Sequence, residues 1–265
     1  MNLEPLVSII VPTFNSEEFL DRVLINLGEQ TYPNKEIIVV DNFSTDHTPE
    51  IALRWADKFY QFGSERAEQM NYAIDHAEGD IIYVTGSDML RDIEYVEKGV
   101  KLFKRGYHAI YASVLTDFRV THFWGQVKAL ERRCYIGTRF ESARFFRKDV
   151  WEKLGKFDTK LVGVEEDFQH RLDKAGYFTG RICAREYHLH EIDSICKVFK
   201  KYQYYGTFVP HYLSKHKSKG IKFLNIFRPC FFTHWWEFVG HPGLAIGFVI
   251  YKFVQYLGGA CGMFK

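Results

Sequence analysis

The 265-residue sequence lacks several features that would place it in a familiar class of protein. Its five cysteines are scattered without paired spacing, which argues against a zinc site or a disulfide framework and suits a reducing compartment. Its formal net charge of +2 is too small to indicate nucleic acid as a partner. It contains no internal repeat and no low-complexity segment. We also expect no secretory signal peptide, because the apolar run at residues 6–12 is short and follows Glu4 and Pro5.

Two apolar runs, Val7–Pro12 and Glu36–Asp41, are the strongest structural signal that is present. Each stops in polar, turn-forming residues, and one helix-length segment lies between them. Both runs are too apolar to face water on either side, which predicts a β-α-β unit inside a parallel sheet. Ligands of such sheets bind at the carboxyl ends of the strands, where this chain places Asn15, Asp41 and Asp46. The pattern therefore predicts a nucleotide-type site.

The first run is not followed by a glycine-rich, basic loop, because Thr13–Asn15 comes directly after Pro12. Enzymes that transfer nucleotidylyl groups need such a loop to hold a triphosphate. The sequence therefore disfavours that class, and we expect the phosphates of a nucleotide ligand to be held by other parts of the chain.

Further along, predicted strands and helices alternate, which indicates an α/β layer fold. Asn15 or Ser16 is the expected cap of a helix that follows the first strand. We predict further strands at residues 81–84, 107–113 and 142–147, with one or two more between 177 and 190. Predicted helices occupy residues 48–55, 65–77, 92–105, 149–154 and 165–174.

Asp88 is the leading candidate for a metal ligand. It lies in a polar turn, Gly86–Asp88, at the end of the apolar strand Ile81–Val84. A carboxylate there can bind a divalent cation that neutralises a diphosphate, although a simple turn-forming or capping Asp is the alternative. Arg66 opens the helix before this strand and is a candidate for contact with phosphates.

These segments resemble the inverting family-2 glycosyltransferases of the GT-A fold. Val7–Asn15 is similar to the family's opening strand, and Val39–Asp46 is similar to its nucleotide-binding strand end, usually Asp-Asp-x-Ser-x-Asp. The resemblance implies that Asp41 recognises the nucleobase and that Asp46 supports the same loop. Asn42 departs from the usual second Asp. The donor-binding residues that we predict are Pro12, Thr13, Asn15, Asp41, Asp46, Arg66, Ser87 and Asp88.

The resemblance also implies a bound Mg²⁺ or Mn²⁺. The family's Asp-x-Asp motif stands here as Gly86–Asp88, which keeps only the second acid, and the Arg-x-x-x-x-Asn helix stands as Arg66–Asn71. A C-terminal histidine often joins the metal in such enzymes. His188 and His190, expected on one face of a strand, resemble that position, and we prefer His190.

The family's catalytic segment, Glu-Asp-x-Asp-Leu-x-x-Arg, resembles Glu165–Arg171. Counted back from Arg171, Asp167 matches the second Asp and Glu165 takes the place of the catalytic Asp. A carboxylate at that position is the general base for the acceptor hydroxyl. An acidic helix start favoured by the helix dipole is the alternative interpretation. The candidates are Glu165, Glu166 and Asp167, of which we favour Glu165.

The C-terminal part changes character after about residue 191. Gly243–Phe264 is almost wholly apolar, and a helix of that length reaches about 33 Å, enough for a bilayer core of about 30 Å. Ile221–Val239 mixes aromatic and basic residues, as in an interfacial segment. Lys252 in the apolar run favours the alternative of helices packed in water. The aromatic residues at Phe123–Gly125 are expected to pack in a core, with an acceptor-site role as the alternative.

Together these features predict a GT-A fold, an α/β fold with a mainly parallel central sheet, over residues 1–206. Residues 207–265 would form an interfacial helix and a predicted transmembrane helix. The resemblance implies a metal-dependent enzyme that moves a hexose such as mannose from a UDP- or GDP-linked donor to a lipid-linked glycan. We expect it at the cell membrane, with the catalytic domain on the cytoplasmic side. The alternatives are a polyprenyl-phosphate sugar synthase and a non-catalytic protein that binds nucleotide sugars.

Overall fold

A computed structural model describes residues 4–138, 141–216 and 228–265 of the chain. The chain divides into two compact units. The first comprises residues 1–114, 140–159 and 163–187, and the second comprises residues 115–139, 160–162 and 188–265. The sequence-based boundary between residues 206 and 207 stays a prediction.

The first unit is built around a sheet whose strand order is β3-β2-β1-β4-β7-β6-β8-β5. Strand β1 pairs in parallel with β2 and β4, and β2 pairs in parallel with β3, whereas β7 is antiparallel to both β4 and β6. The predicted α/β class is confirmed. The strands are β1 (Val7–Thr13), β2 (Lys35–Asp41), β3 (Lys58–Gln61), β4 (Ile81–Val84), β5 (Met89–Arg91), β6 (Ala109–Thr116), β7 (Phe145–Arg147) and β8 (Thr179–His188).

The helices are α1 (Glu17–Gly28), α2 (Thr48–Trp55), α3 (Arg66–Asp75), α4 (Tyr95–Phe103), α5 (Phe123–Tyr135), α6 (Lys148–Lys153), α7 (Val164–Ala175), α8 (Ile195–Gly206), α9 (Val209–His216), α10 (Pro229–Thr233), α11 (Trp235–Val239) and α12 (Pro242–Met263). Helices α5 and α8–α12 belong to the second unit, and the others belong to the first.

The two apolar runs form the buried centre of the sheet, as predicted. All seven residues of β1 are buried, as are the last six of β2. Helix α1 buries one apolar face, as its spacing predicts: Leu20, Val23, Leu24 and Leu27. Ser16 is the N-cap residue of α1, one of the two residues expected there, although its side chain makes no capping hydrogen bond.

The region after residue 177 forms one strand, β8, which ends at His188. The expectation that His188 and His190 share a strand face is therefore wrong, because His190 lies beyond the strand and is exposed. The backbone carbonyl of His188 accepts a hydrogen bond from the amide of Asp117 at 2.8 Å, which fixes the strand's end. Strands β3 and β5 lack the continuous apolar run from which β4 was predicted, because β3 has polar residues at both ends and β5 ends in Arg91.

The second unit packs α12 against α5 and α8. Tyr251 of α12 lies in a core cluster with Val127 and Val198, and Trp124 packs against that cluster, as the packing interpretation of this aromatic segment predicts. Helix α12 is long and apolar enough to cross a membrane, by length and composition only. Of the predicted interfacial segment Ile221–Val239, residues 221–227 lie outside the described residues, and α10 and α11 lie in the remainder.

Candidate active site

A cavity of about 340 Å³ opens where β1, β2 and β4 end. Its position matches the expectation that parallel sheets bind ligands at the carboxyl ends of their strands. The residues that line it are Pro12, Thr13, Phe14, Ser16, Asn42, Arg66, Gln69, Gly86, Ser87 and Asp88. The structure therefore brings together five of the predicted donor-binding residues: Pro12, Thr13, Arg66, Ser87 and Asp88.

Asp41 lies behind the cavity wall and is fully buried. Its carboxylate accepts hydrogen bonds from the Thr13 hydroxyl at 3.0 Å, the Ser44 amide at 2.8 Å and the Gln61 side chain at 3.3 Å. The carboxylate therefore joins the ends of β1 and β2 and shapes the loop after β2. The predicted contact between Asp41 and a nucleobase stays a prediction.

Asp46 and Asn15 support the same loop from outside the cavity lining. The Asp46 carboxylate accepts hydrogen bonds from the amides of Glu17 at 3.1 Å and Thr48 at 3.0 Å, at the starts of α1 and α2. Although burial opposes it, hydrogen bonding by Thr48 lowers the pKa of Asp46 below its usual value. The side-chain carbonyl of Asn15 accepts a hydrogen bond from the Thr45 amide at 3.0 Å. Both residues therefore fix the position of the loop between β2 and α2.

The turn Gly86–Asp88 places its carboxylate in the cavity wall. A Cβ added at Gly86 would lie 2.9 Å from Oδ1 of Asp88, so the Asp88 side chain leans over the position where the family has its first acid. The Ser87 and Ser16 hydroxyls are 2.9 Å apart and link this turn to the start of α1. The turn thus contributes the Asp88 carboxylate and the Ser87 hydroxyl to the cavity lining.

Gln69 is a cavity residue that the sequence analysis missed. It is buried on α3, and its amide nitrogen donates to the backbone carbonyls of Thr13 at 2.9 Å and Val40 at 2.7 Å. These bonds hold α3 against the ends of β1 and β2. Gln69 follows Arg66 by three residues on α3, so both side chains lie on one face of the helix. This spacing is the sequence feature that could have indicated Gln69.

Glu165 contacts the cavity-lining residue Arg66 but is not itself part of the lining. Its carboxylate forms an ion pair with the Arg66 guanidinium, which itself lines the cavity. Burial opposes ionisation of Glu165, but the guanidinium groups of Arg66 and Arg144 lower the pKa of this carboxyl below its usual value. Glu165 is therefore an ionised carboxylate at neutral pH.

The two neighbouring acids differ from Glu165 in their surroundings. Burial and the adjacent Glu165 charge raise the pKa of Glu166 above its usual value. Asp167 is fully buried, and its Oδ2 pairs with Nη2 of Arg171 at 2.8 Å. Arg171 also donates to the carbonyls of Leu154 at 2.6 Å and Lys156 at 2.7 Å, so the Asp167 pair fixes the turn before α7.

A buried polar network at the end of β4 was also missed. The Tyr83 hydroxyl donates to the fully buried Glu186 carboxylate, and the Thr85 hydroxyl lies 3.4 Å from the same oxygen. The other Glu186 oxygen is 3.7 Å from Nη1 of Arg144. Buried and exposed residues alternate along β8, and Glu186 occupies a buried position. A charged residue at a buried position of an alternating strand is the sequence feature that could have indicated this network.

The residues at the cavity fit a divalent cation held in part by substrate. Within residues 4–138, 141–216 and 228–265, no three His, Cys, Asp or Glu side chains are grouped so that they could hold a metal ion. Mg²⁺ is commonly bound by one or two carboxylates together with substrate phosphates and water. The Asp88 carboxylate in a polar cavity wall suits that arrangement. A histidine ligand, His190 or His188, stays a prediction.

Parallel strands β1, β2 and β4 end at a polar cavity, with a carboxylate on a strand-end turn and a second carboxylate nearby. This is an α/β protein with a candidate ligand site at the carboxyl ends of its parallel strands. The family model described as glycosyl transferase family 2 matches residues 8–160, more than half of the chain. The chain belongs to this family.

Relatives and solved structures agree with that assignment. Glycosyltransferase AglE of Haloferax volcanii is 27% identical over 191 residues, covering 65% of this chain and 63% of AglE. A Methanococcus voltae enzyme, dolichyl N-acetyl-α-D-glucosaminyl phosphate 3-β-D-2,3-diacetamido-2,3-dideoxy-β-D-glucuronosyltransferase, is 29% identical over 110 residues, or 37% of this chain and 34% of that enzyme. The chain thus spans between about a third and just under two thirds of these relatives' lengths.

The fold also matches a solved structure of mannosyltransferase PcManGT from Pyrobaculum calidifontis in complex with GDP-Man and Mn²⁺. The two chains superpose with a TM-score of 0.60 at 21% identity, covering 98% of this chain and 74% of PcManGT. This likeness confirms the predicted GT-A fold.

Proposed function

We propose that this protein is a metal-dependent, inverting glycosyltransferase that moves a sugar from a nucleoside diphosphate donor to a hydroxyl of a lipid-linked glycan. The observation that supports this most directly is the contact between Arg66 and Glu165. Because Arg66 and Asp88 line one cavity, the contact brings an ionised carboxylate to the edge of the space that holds the donor.

The proposed reaction is a single displacement. The acceptor oxygen attacks the anomeric carbon, the bond from that carbon to the diphosphate oxygen breaks, and the acceptor proton passes to Glu165. One attack from the face opposite the leaving group inverts the anomeric configuration. Asp41 and Asp46 hold the loop that would receive the nucleoside, and Arg66 would contact the diphosphate.

Asp88 is the residue that we propose holds Mg²⁺ or Mn²⁺. When bound, the metal ion would neutralise the charge that develops on the departing diphosphate. Gly86 leaves room for the Asp88 side chain, so this turn provides one acid where most family members have two.

A lipid-linked acceptor and a membrane location are supported by two observations. The Methanococcus voltae relative is named for a dolichyl-linked acceptor, and α12 has the length and composition of a membrane helix. We therefore propose that the protein works at the cell membrane, with the basic stretch before α12 on the cytoplasmic side.

The test is a donor panel, with GDP-mannose and UDP-linked hexoses supplied with Mn²⁺ and a polyprenyl-linked glycan. We expect transfer from one donor with inversion, read by NMR of the product's anomeric centre. The variants Asp88→Asn and Glu165→Gln should each lose activity by about 10²–10⁴-fold. Only Asp88→Asn should also weaken metal-dependent donor binding. The exposed acids Asp80 and Glu152 provide the matched controls Asp80→Asn and Glu152→Gln, which should keep full activity.

Two results would contradict the proposal. Full activity in Glu165→Gln with a polyprenyl phosphate as acceptor would indicate a polyprenyl-phosphate sugar synthase, because a phosphate acceptor needs no general base. Donor binding without transfer or donor hydrolysis, for every donor tested, would indicate a non-catalytic binding protein.

A further inference from the structure

We propose that α12 lies in the plane of a membrane, with one face in a single leaflet, and does not cross the bilayer. The inference deepens the membrane location proposed above and commits to one partner, a leaflet with anionic headgroups. The three helices involved, α5, α8 and α12, all belong to the second unit.

The exposed face of α12 is a continuous apolar stripe. Ile246, Val249, Ile250, Phe253 and Leu257 are each between 46% and 67% exposed. Their spacing of one, three or four residues places them on one side of a helix. The stripe extends as far as the exposed Ala260, so it measures about 21 Å along the helix axis from Ile246. An apolar surface of this length on a protein indicates a binding surface.

The opposite face of α12 is occupied by α5 and α8 over almost the same length. Near its start, a Cβ on Gly247 would meet the side chains of Phe123 and Val127 of α5. Near its end, Gly258 and Gly262 lie directly against the backbone of α8, where any larger side chain would collide. The glycines thus let α12 and α8 approach closely, and α5 and α8 together cover the face of α12 opposite the stripe.

A charged contact fixes this packing in the middle of α12. Lys252 is 6% exposed, and its ammonium group contacts the carboxylate of Glu131, which is 2% exposed. The same ammonium group donates to the side-chain carbonyl of Gln255 at 2.9 Å. The lysine that argued against a complete span therefore points toward α5 and away from the apolar stripe.

A perpendicular span would carry α5 and α8 into the hydrocarbon together with α12. Helix α8 exposes Lys197, Lys200 and Lys201, whose charges are unfavourable there. An orientation parallel to the membrane removes the stripe from water and leaves these lysines outside the hydrocarbon. The structure thus favours the in-plane arrangement over the span.

The charge of the neighbouring sequence identifies the partner as an anionic leaflet. Between Asp193 and Glu237 the chain has seven lysines and Arg228 but no acidic residue. Just before α12, Trp235 and Trp236 are 60% and 53% exposed, and tryptophan is enriched at membrane interfaces. Basic residues beside an exposed apolar face are typical of helices that bind anionic membranes at their surface.

The experiment measures the depth of three positions on the stripe in the full chain. The exposed Cys183, Cys196 and Cys261 are replaced by serine, and a nitroxide is attached to Ile246→Cys, Phe253→Cys or Ala260→Cys. Depth is read by power saturation with oxygen and a water-soluble nickel chelate, on vesicles of phosphatidylcholine with or without phosphatidylglycerol. A label on Tyr204→Cys of α8 is the control, since that side chain is exposed outside the stripe.

We expect the three stripe labels at one shallow depth, about 5–10 Å into the leaflet, and binding that requires phosphatidylglycerol. The control label should stay nearer the water. A depth that changes steadily from Ile246 to Ala260 through the bilayer centre would show a span and overturn the inference. Full exposure of all three labels to the nickel chelate would also overturn it. Donor hydrolysis measured without vesicles on the same samples reports on the proposed activity separately.

Discussion

The contact between Arg66 and Glu165 gives one guanidinium group two competing partners. This guanidinium pairs with Glu165 and, with Arg144, keeps the pKa of that carboxyl below its usual value despite burial. A bound diphosphate would compete for the same guanidinium, because Arg66 lines the cavity that we propose for the donor. Donor binding would then weaken the Arg66 contact and make Glu165 a stronger base.

The variant Arg66→Met tests this exchange through the pH dependence of kcat/KM. Glu165 must be ionised to act as a base, so the acidic limb of the profile follows its pKa in the free enzyme. Removal of Arg66 leaves burial less compensated, raises the pKa of Glu165 and moves the acidic limb to higher pH. Arg66→Lys should keep part of the wild-type position.

The exposed Arg54 on α2 provides the matched control Arg54→Met, which should leave the profile unchanged. If Arg66→Met lowers kcat/KM equally at every pH, then Arg66 binds phosphate without setting the protonation of Glu165.

Residues at strand ends could be predicted from the sequence, because an apolar run that stops in a polar turn marks the ligand edge of a sheet. Asp88 and Thr13 were found in this way. Gln69 and Glu186 were not, since their roles depend on the packing of α3 and β8 against strands distant in sequence. Glu165 was already favoured over Asp167 from the sequence, and the structure adds that Glu165 pairs with Arg66 whereas Asp167 pairs with Arg171.

At the scale of elements, the loop that precedes α7, the helix that carries the proposed base Glu165, is anchored to α3. The Asn71 side chain of α3 exchanges two hydrogen bonds with the backbone of Phe157, at 2.9 and 3.0 Å. Because Arg66 and Asn71 lie on the same helix, α3 supplies both the contact to Glu165 and the anchor of the preceding loop. The Arg-x-x-x-x-Asn spacing thus allows one helix to contact both Glu165 and the loop at Phe157.

Gly99 sets how closely α4 approaches the sheet. A Cβ at this position would collide with the ring of Phe145 on β7, which is fully buried. We therefore expect Gly99→Ala to destabilise the protein by about 1–3 kcal/mol through overpacking, although alanine favours helix. Thermal melting followed by circular dichroism should show a lower Tm, by about 2–4 °C for each kcal/mol.

The control for this prediction is Gly28→Ala at the end of α1, where an added Cβ meets no atom within 4 Å. It should leave the Tm unchanged or raise it slightly. An unchanged Tm in Gly99→Ala would mean that Phe145 can move aside without loss, and that α4 is not held at this distance by the glycine.

At the scale of the whole molecule, the sequence predicted features that depend on a single strand or helix. It did not predict features that depend on the packing of several elements. The buried runs of β1 and β2 predicted the sheet, and the apolar length of α12 predicted a membrane helix. The sequence could not show that α12 has one face covered by α5 and α8, since that depends on glycine contacts between helices. The orientation of a long apolar helix is therefore decided by its partners as well as by its length.

Donor and metal binding should also change the stability of the whole folded protein. A donor that binds only the folded protein raises its stability by mass action, by about 2.7 kcal/mol at a concentration 100 times the Kd. Asp88 is the proposed metal-binding carboxylate of the cavity wall, and the donor phosphates would supply further ligands. We therefore expect Mn²⁺ alone to change the Tm little and donor with Mn²⁺ to raise the Tm by several degrees. EDTA should remove most of this increase in Tm. Asp88→Asn should lack the metal-dependent part of the increase, whereas Asp80→Asn should keep it.

Comparison of GDP with UDP in the same assay identifies the base that the loop after β2 accepts. An increase of the same size with and without EDTA would contradict a metal-dependent donor site.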